Sequence, residues 1–206
     1  DDGLKIEPKY YIPIIPLILC NGAKGIGTGW STDVPTYNPI DVTNQVLNWI
    51  KNKPIQNIKP WFRGFKGVIE KVDESSYISR GICQIENKSN IRVLELPICK
   101  WTLNYKQYLE KVIDKGNLGL IDIEDTSNDK NVNILLKFQN EEYVNKLQPN
   151  NPSVFHEKIK ITSKSKCNCN NMYLFDPSGH IKKYNSVKDI IIEFCKVRSD
   201  LYIKRY

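Results

Sequence analysis

Asn21-Gly22-Ala23-Lys24-Gly25-Ile26-Gly27-Thr28-Gly29-Trp30-Ser31 is a glycine-dense stretch carrying one lysine and one large aliphatic residue. The apolar run Tyr11-Ile12-Pro13-Ile14-Ile15-Pro16-Leu17-Ile18-Leu19-Cys20 leads into it. Prolines at 13 and 16 donate no ladder or helix hydrogen bond, so the run reads as a buried extended segment rather than a helix. Glycines at 22, 25, 27 and 29 then allow positive φ and a close approach of the backbone to another surface. Ile26 stands between two of them, with no neighbouring side chain to shield it. A loop built this way either tucks its isoleucine into a core or presents it as a wedge.

Phosphate-cradling readings of this loop fail on spacing. A P-loop places its lysine and a Ser/Thr directly after the last glycine, whereas Lys24 precedes Gly25. A dinucleotide fingerprint needs G-x-G-x-x-G at the start of a helix, and the order here is G-x-x-G-x-G-x-G followed by Trp30. A nucleotide-binding enzyme built on this loop is therefore disfavoured, and nucleotide titration would check it.

Outward from the loop, the pattern is α+β with a mostly antiparallel sheet. Asn38 as N-cap, Pro39 at the first helical position and Asp41 in the first turn start a helix to about Lys51, with Val42, Val46, Trp49 and Ile50 as its apolar positions. Alternation predicts strands near Phe65–Val72, Tyr77–Ile85 and Ile91–Leu96, joined by polar turns at 73–76 and 87–90. Thr102 is expected to cap a helix to about Lys115, with Tyr105, Leu109 and Val112 on one face. Asn131–Phe138 reads as a strand, and Asn140 with Glu141 and Glu142 opens a short helix. Gln148 to Ser153 reads as a surface linker. A turn at Asp176-Pro177-Ser178-Gly179 makes a hairpin of Met172–Phe175 and His180–Tyr184. Ser186 and Asp189 resemble a capping box that opens a final helix, with Ile190, Ile191, Phe194, Val197 and Leu201 facing inward.

Charge is uneven along the 206 residues, whose net is +7. Residues 1–150 hold 19 Lys/Arg against 18 Asp/Glu, while residues 151–206 hold 11 against 5. A basic final third beside a neutral remainder points to a polyanion-facing surface. No apolar run is long enough to span a bilayer and no signal peptide is present, so no membrane partner is expected. The six cysteines are scattered, which argues for reduced thiols inside a cell. Cys167-x-Cys169 is the one close pair, and its spacing is wrong for a zinc knuckle. A chain that opens at Asp1 without methionine and ends at Tyr206 within an expected helix fits a piece of a longer protein.

The string "YIPIIPLILCNGAKGIGTGWSTDVP" (Tyr11 to Pro35) resembles the segment after the winged-helix region in the breakage-reunion part of eukaryotic-type type IIA DNA topoisomerases. "KPWFRGFKGVIE" (Lys59 to Glu70), "LELPICKWT" (Leu94 to Thr102) and "NNMYLFDPSGHIKKY" (Asn170 to Tyr184) follow in that family's order. The resemblance implies three regions. Residues 1–36 would hold the end of the winged-helix region and a DNA-wedge loop, 37–185 a tower domain, and 186–206 the start of a helical arm towards an exit gate.

The resemblance also implies chemistry. Family members pass one duplex through a transient double-strand break in another, as ATP-dependent nuclear homodimers. Their nucleophilic tyrosine, magnesium-binding acidic residues and ATPase lie outside the segment matched here. No catalytic residue is therefore assigned, the fragment is expected to bind neither Mg2+ nor ATP, and it is expected to be inactive alone.

The implied partner is duplex DNA. By the resemblance Ile26 inserts between base pairs, where an apolar wedge in the minor groove unstacks one step and kinks the duplex. Trp101 falls where the family has a DNA-contacting tryptophan, its indole offering one N–H and a flat apolar face. The stretch containing Lys160, Ile161, Thr162, Ser163, Lys164, Ser165, Lys166 and Asn170 falls on a DNA-contacting strand and loop, whose lysines neutralise phosphates without reading sequence. Trp30 and Trp61 match the family as packing residues. The alternative is a stand-alone duplex-binding module without sequence preference, which the full-length reading frame would separate from an enzyme fragment.

Overall fold

A computed structural model describes Gly3, residues 13–165 and residues 167–205. The chain divides into two compact units, Asp1–Trp61 with Cys169–Tyr206, and Phe62–Asn168. It is an α+β chain in which every strand pairing among the described residues is antiparallel.

The described part of the proline-containing run is not extended throughout: α1 (Leu17–Asn21) begins immediately after Pro16, which occupies the N-cap. Proline disrupts a helix interior, but before the first turn its missing N–H has no helical partner to lose. Ile14 is exposed, and Leu19 is the buried residue of the helix. Gly22 ends it at φ +67, where an added Cβ would lie 2.8 Å from the Val34 carbonyl oxygen.

The glycine-rich stretch is a hairpin rather than an irregular loop. β1 (Ala23–Gly27) pairs with β2 (Trp30–Val34) from Ala23↔Val34 to Gly27↔Trp30, turning at Thr28-Gly29 with Gly29 at φ +77. α2 (Pro39–Ile50) starts as expected, with Asn38 Oδ1 accepting the Ile40 N–H at 2.9 Å. Val42 and Val46 are buried, but Ile50 is exposed.

The second unit holds two sheets. β3 (Val68–Lys71), β4 (Tyr77–Arg80) and a later short strand form one; β5 (Ile82–Asn87) and β6 (Asn90–Glu95) belong to the other. The expected continuous strand over Tyr77–Ile85 breaks at Gly81, where a Cβ would sit 2.1 Å from the Glu95 carbonyl oxygen. Glycine lets the chain leave one sheet and enter the next against that backbone. The turns at 73–76 and 87–90 form as expected. Asp73 and Asn87 each accept the N–H two residues on, at 2.9 and 3.0 Å.

α3 (Thr102–Asp114) follows, capped by Trp101 rather than Thr102, with no side-chain cap bond. β7 (Leu120–Asp125) and β8 (Ile134–Phe138) complete the sheet in the order β5-β6-β8-β7. β8 starts at Ile134 because the N–H groups of Asn131 and Asn133 are taken by Asn128 and Ser127 side chains. Asn140 caps α4 (Glu141–Lys146) as expected.

The expected linker contains a helix start. Asn151 caps α5 (Pro152–Lys158), with Pro152 in its first turn, repeating the Asn-Pro device of α2. β9 (Thr162–Ser163) then pairs with β4. The core of this unit joins Ile91 and Val93, Tyr105, Leu109 and Val112, Ile134 and Leu136, and Phe155, Ile159 and Ile161.

The chain returns to the first unit as the hairpin of β10 (Met172–Phe175) and β11 (Ile181–Tyr184). Asp176 Oδ1 accepts the N–H groups of Ser178 and His180, both at 2.9 Å, which shapes its turn. α6 (Val187–Arg205) carries the reciprocal Ser186–Asp189 bonds of a capping box, at 3.0 and 3.2 Å. Ile190, Ile191 and Cys195 are buried along it, and Phe194, Val197 and Leu201 are half-buried. The Asp33 N–H donates to the Asn171 carbonyl at 2.7 Å, tying β2 to the approach of β10. α2 and the β10–β11 hairpin lie in the same compact unit as the glycine-rich hairpin.

Candidate nucleic-acid interface

Ile26 is 89% exposed on β1. Leaving a whole aliphatic side chain in water forgoes about 1.5–3 kcal/mol of burial, so the fold itself gains nothing from isoleucine at that position. Its glycine neighbours carry the same implication. Gly25 and Gly27 do not have positive φ, an added Cβ at Gly25 would meet nothing within 4 Å, and one at Gly27 only the Trp30 carbonyl at 3.9 Å. Gly22 and Gly29, by contrast, have positive φ. Alanine would fit at both flanking positions, yet the chain leaves Ile26 bare on both sides. Lys24 is exposed beside it.

Around this hairpin, Trp30 is half-exposed and lays its ring against Tyr173, with centroids 5.3 Å apart. Trp61 is half-buried. Asn170 is exposed. Asn171, not singled out from sequence, donates its side-chain N–H to Ser31 Oγ at 2.9 Å and braces β2. Its signal was only its place beside Asn170, because the bond spans 140 residues.

In the second unit Trp101 is 73% exposed at the N-cap of α3. Two bonds tie the start of that helix to the end of α5. The Tyr105 hydroxyl donates to the Ile159 carbonyl at 2.9 Å, and Lys100 Nζ donates to the Lys160 carbonyl. They bring Trp101 and Lys160 into one neighbourhood. Burial, with the Lys160 charge adding to it, holds the Lys100 ammonium below the usual lysine range. Lys160 follows α5 at φ 60, with its N–H on the Glu157 carbonyl and the Ile161 N–H on the His156 carbonyl. This is a Schellman ending with lysine where glycine is usual.

The basic stretch separates into inward and outward residues. Ile161 is fully buried, and its carbonyl accepts the Gly81 N–H at 2.9 Å. The expectation that it touches DNA is thereby corrected: apolar neighbours from α3 and α5 already surround it. Thr162 and Ser163 are half-buried and pair with Arg80 and Ser79. Lys160, Lys164 and Ser165 are exposed, and Lys166 lies outside the described residues. Cys167 and Cys169 are buried, and Cys169 Sγ lies 3.1 Å from the Tyr37 hydroxyl. Burial pushes the Cys169 thiol up, with the Tyr37 bond opposing.

Among the described residues no three or more His, Cys, Asp or Glu side chains gather into a metal-binding group. No helix among them is long and apolar enough to cross a membrane. Outward-facing lysines, an exposed indole and an exposed isoleucine have the chemistry for phosphate neutralisation, sugar contact and insertion.

The family model for the A-type subunit of DNA gyrase/topoisomerase IV matches residues 1–206. DNA topoisomerase 2 of Pisum sativum is 39% identical over 99% of this chain and 14% of its own length, and that of Saccharomyces cerevisiae is 36% identical over 100% and 14%. A crystal structure of the Plasmodium falciparum topoisomerase II DNA-binding, cleavage and re-ligation domain superposes with a TM-score of 0.87 at 35% identity, covering 100% of this chain and 27% of that one. The chain thus spans about a seventh of the curated relatives it matches. Matched from end to end in sequence and in fold, it belongs to the type IIA DNA topoisomerase family, as a stretch homologous to eukaryotic DNA topoisomerase 2.

Proposed function

We propose that this chain is the duplex-binding and duplex-bending part of an ATP-dependent type II DNA topoisomerase, which passes one duplex through a transient double-strand break in another. The observation that carries the reading is Ile26, 89% exposed between two glycines whose missing side chains the fold does not require. Isoleucine enters the minor groove and unstacks one base step. The bare flanks let the hairpin backbone come close enough for a short side chain to reach the stack. Trp101, Lys160, Lys164 and Lys166 hold the duplex by sugar and phosphate, and Asn170 adds a polar contact.

Residues 1–36 supply the wedge, 37–185 the tower and 186–206 the start of the arm. The working protein is a homodimer. Its tyrosine nucleophile and ATPase come from other segments, and this stretch is inactive alone. The acidic residues that hold Mg2+ in the full-length enzyme likewise come from other segments, and among the described residues no three His, Cys, Asp or Glu side chains gather. Compartment is proposed as the nucleus. A Dictyostelium discoideum relative carries the name DNA topoisomerase 2, mitochondrial, so imaging of the tagged full-length protein decides between the two.

Two outcomes test the reading. Gly25→Ala and Gly27→Ala should leave thermal stability unchanged or raise it by about 0.5–1 kcal/mol, since glycine weakens a strand interior. The same changes should lower DNA bending by the full-length protein, measured by energy transfer between labelled duplex ends. Stability loss with normal bending would mean that the glycines serve the fold.

Replacing Lys160, Lys164 and Lys166 together by glutamine should weaken binding equally on all duplex sequences. The salt slope should flatten by roughly 0.9 for each phosphate no longer neutralised, up to about 3 in all. An unchanged slope would place the phosphate contacts elsewhere.

A further inference from the structure

The β10–β11 hairpin is two-faced. On one face Met172 and its partner Tyr184 are 0% and 5% exposed, and Lys182 reaches Glu193 of α6 at 2.8 Å. On the other face Tyr173 pairs with Lys183 and Phe175 with Ile181. That outer face is apolar where an open sheet face is ordinarily polar, with Phe175 73% and Ile181 42% exposed.

It continues into a shallow trough of about 290 Å³ lined by Gly25, Gly27, Trp30 and Ile26 itself. Among the described residues no acidic side chain lines the trough. Lys183 Nζ stands 5.8 Å from the Tyr173 ring centroid, whose other neighbour is Trp30 at 5.3 Å. An apolar bed floored by bare glycine backbone, with no carboxylate among its described lining residues and the Lys183 ammonium at its edge, matches the edge of a nucleic-acid strand. Such an edge presents C–H surface on each sugar and an anionic oxygen beside it.

We propose that this face is a second seat for the duplex that Ile26 enters, with Phe175 and Ile181 against deoxyribose rims and Lys183 on the adjoining phosphate. The proposal rests on the wedge reading and adds to it what holds the duplex once kinked. Insertion alone opens a step, whereas contact along the sugars beyond it favours the bent form over the straight one. Sugars and phosphates are common to every sequence, so the seat adds no base preference.

Hydroxyl-radical footprinting of a duplex bound to the full-length protein reads deoxyribose exposure directly. The wild-type protein should protect a short run of sugars beside the kink. Phe175→Ser should lose that protection and lower the kinked fraction roughly tenfold, at an unchanged melting midpoint because Phe175 is already in water. Phe175→Leu should restore both. Lys183→Gln should reduce the salt slope by about one.

An identical footprint and bend for wild type and Phe175→Ser, while Ile26→Ala still abolishes the kink, overturns the seat and leaves the wedge standing. A kink that survives Ile26→Ala overturns the wedge and the seat with it. An unchanged footprint with loss of a protein partner assigns the face to that partner and overturns the proposal.

Discussion

Ile26→Ala in the full-length protein should lower DNA bending and strand passage far more than DNA affinity, and should leave the stability of the chain unchanged. Truncation removes three carbons from a side chain that is 89% exposed, so no cavity forms. In the duplex those carbons are buried. At about 0.8 kcal/mol each their loss amounts to roughly 2.4 kcal/mol, or about a 60-fold fall in the kinked-to-straight ratio. Affinity falls less because phosphate contacts carry most of the binding. Energy transfer across a labelled duplex reads the bend, relaxation of supercoiled plasmid reads passage, and denaturant melts of the chain read stability. A large stability loss with a normal bend would make Ile26 a packing residue.

Ile161→Ala should do the reverse. The residue is fully buried in the core cluster that includes Phe155, Ile159 and Tyr105, and deleting a core isoleucine costs about 2–5 kcal/mol. Its N–H and carbonyl bonds to His156 and Gly81 survive the change, so the loss is apolar. Urea melts should show the drop, while DNA binding by the protein that remains folded should hardly change. Unchanged stability with weakened DNA binding would return Ile161 to the interface. The same aliphatic side chain thus serves opposite ends at 26 and at 161.

That contrast marks what is legible before the fold. Local devices read well: the Asn38-Pro39 start of α2, the Asn140 cap of α4, the Asp176–Gly179 turn and the Ser186–Asp189 box each depend on residues a few positions apart. Regions whose state depends on distant partners read poorly. Gly81 breaks an alternating run because the backbone of Glu95, 14 residues on, passes against it, and nothing near position 81 announces it. Ile161 sits in a run of lysines and serines that looks wholly solvated. Only α3 and α5 packing over it gives it a core position.

Two departures are local. Pro13 and Pro16 weigh against a helix by composition, although a proline just before the first turn is compatible with one. Asn151-Pro152 carries the same start signal as Asn38-Pro39, but its polar, proline-flanked setting has the composition of a linker. At Ile26 and Trp101, both singled out from sequence, the structure places large apolar side chains in water. What no sequence pattern discloses is that Gly25 and Gly27 are free of internal need, which requires the surrounding space to be known.

The most direct test of the wedge places a fluorescent adenine analogue at successive steps of a duplex and records its emission with the full-length protein bound. The analogue brightens when unstacked. The account predicts a rise at a single step on each side of the cleavage centre, lost in Ile26→Ala and kept in Ile26→Leu. Emission that rises equally in the wild-type protein and in Ile26→Ala, or at no step in either, would contradict it.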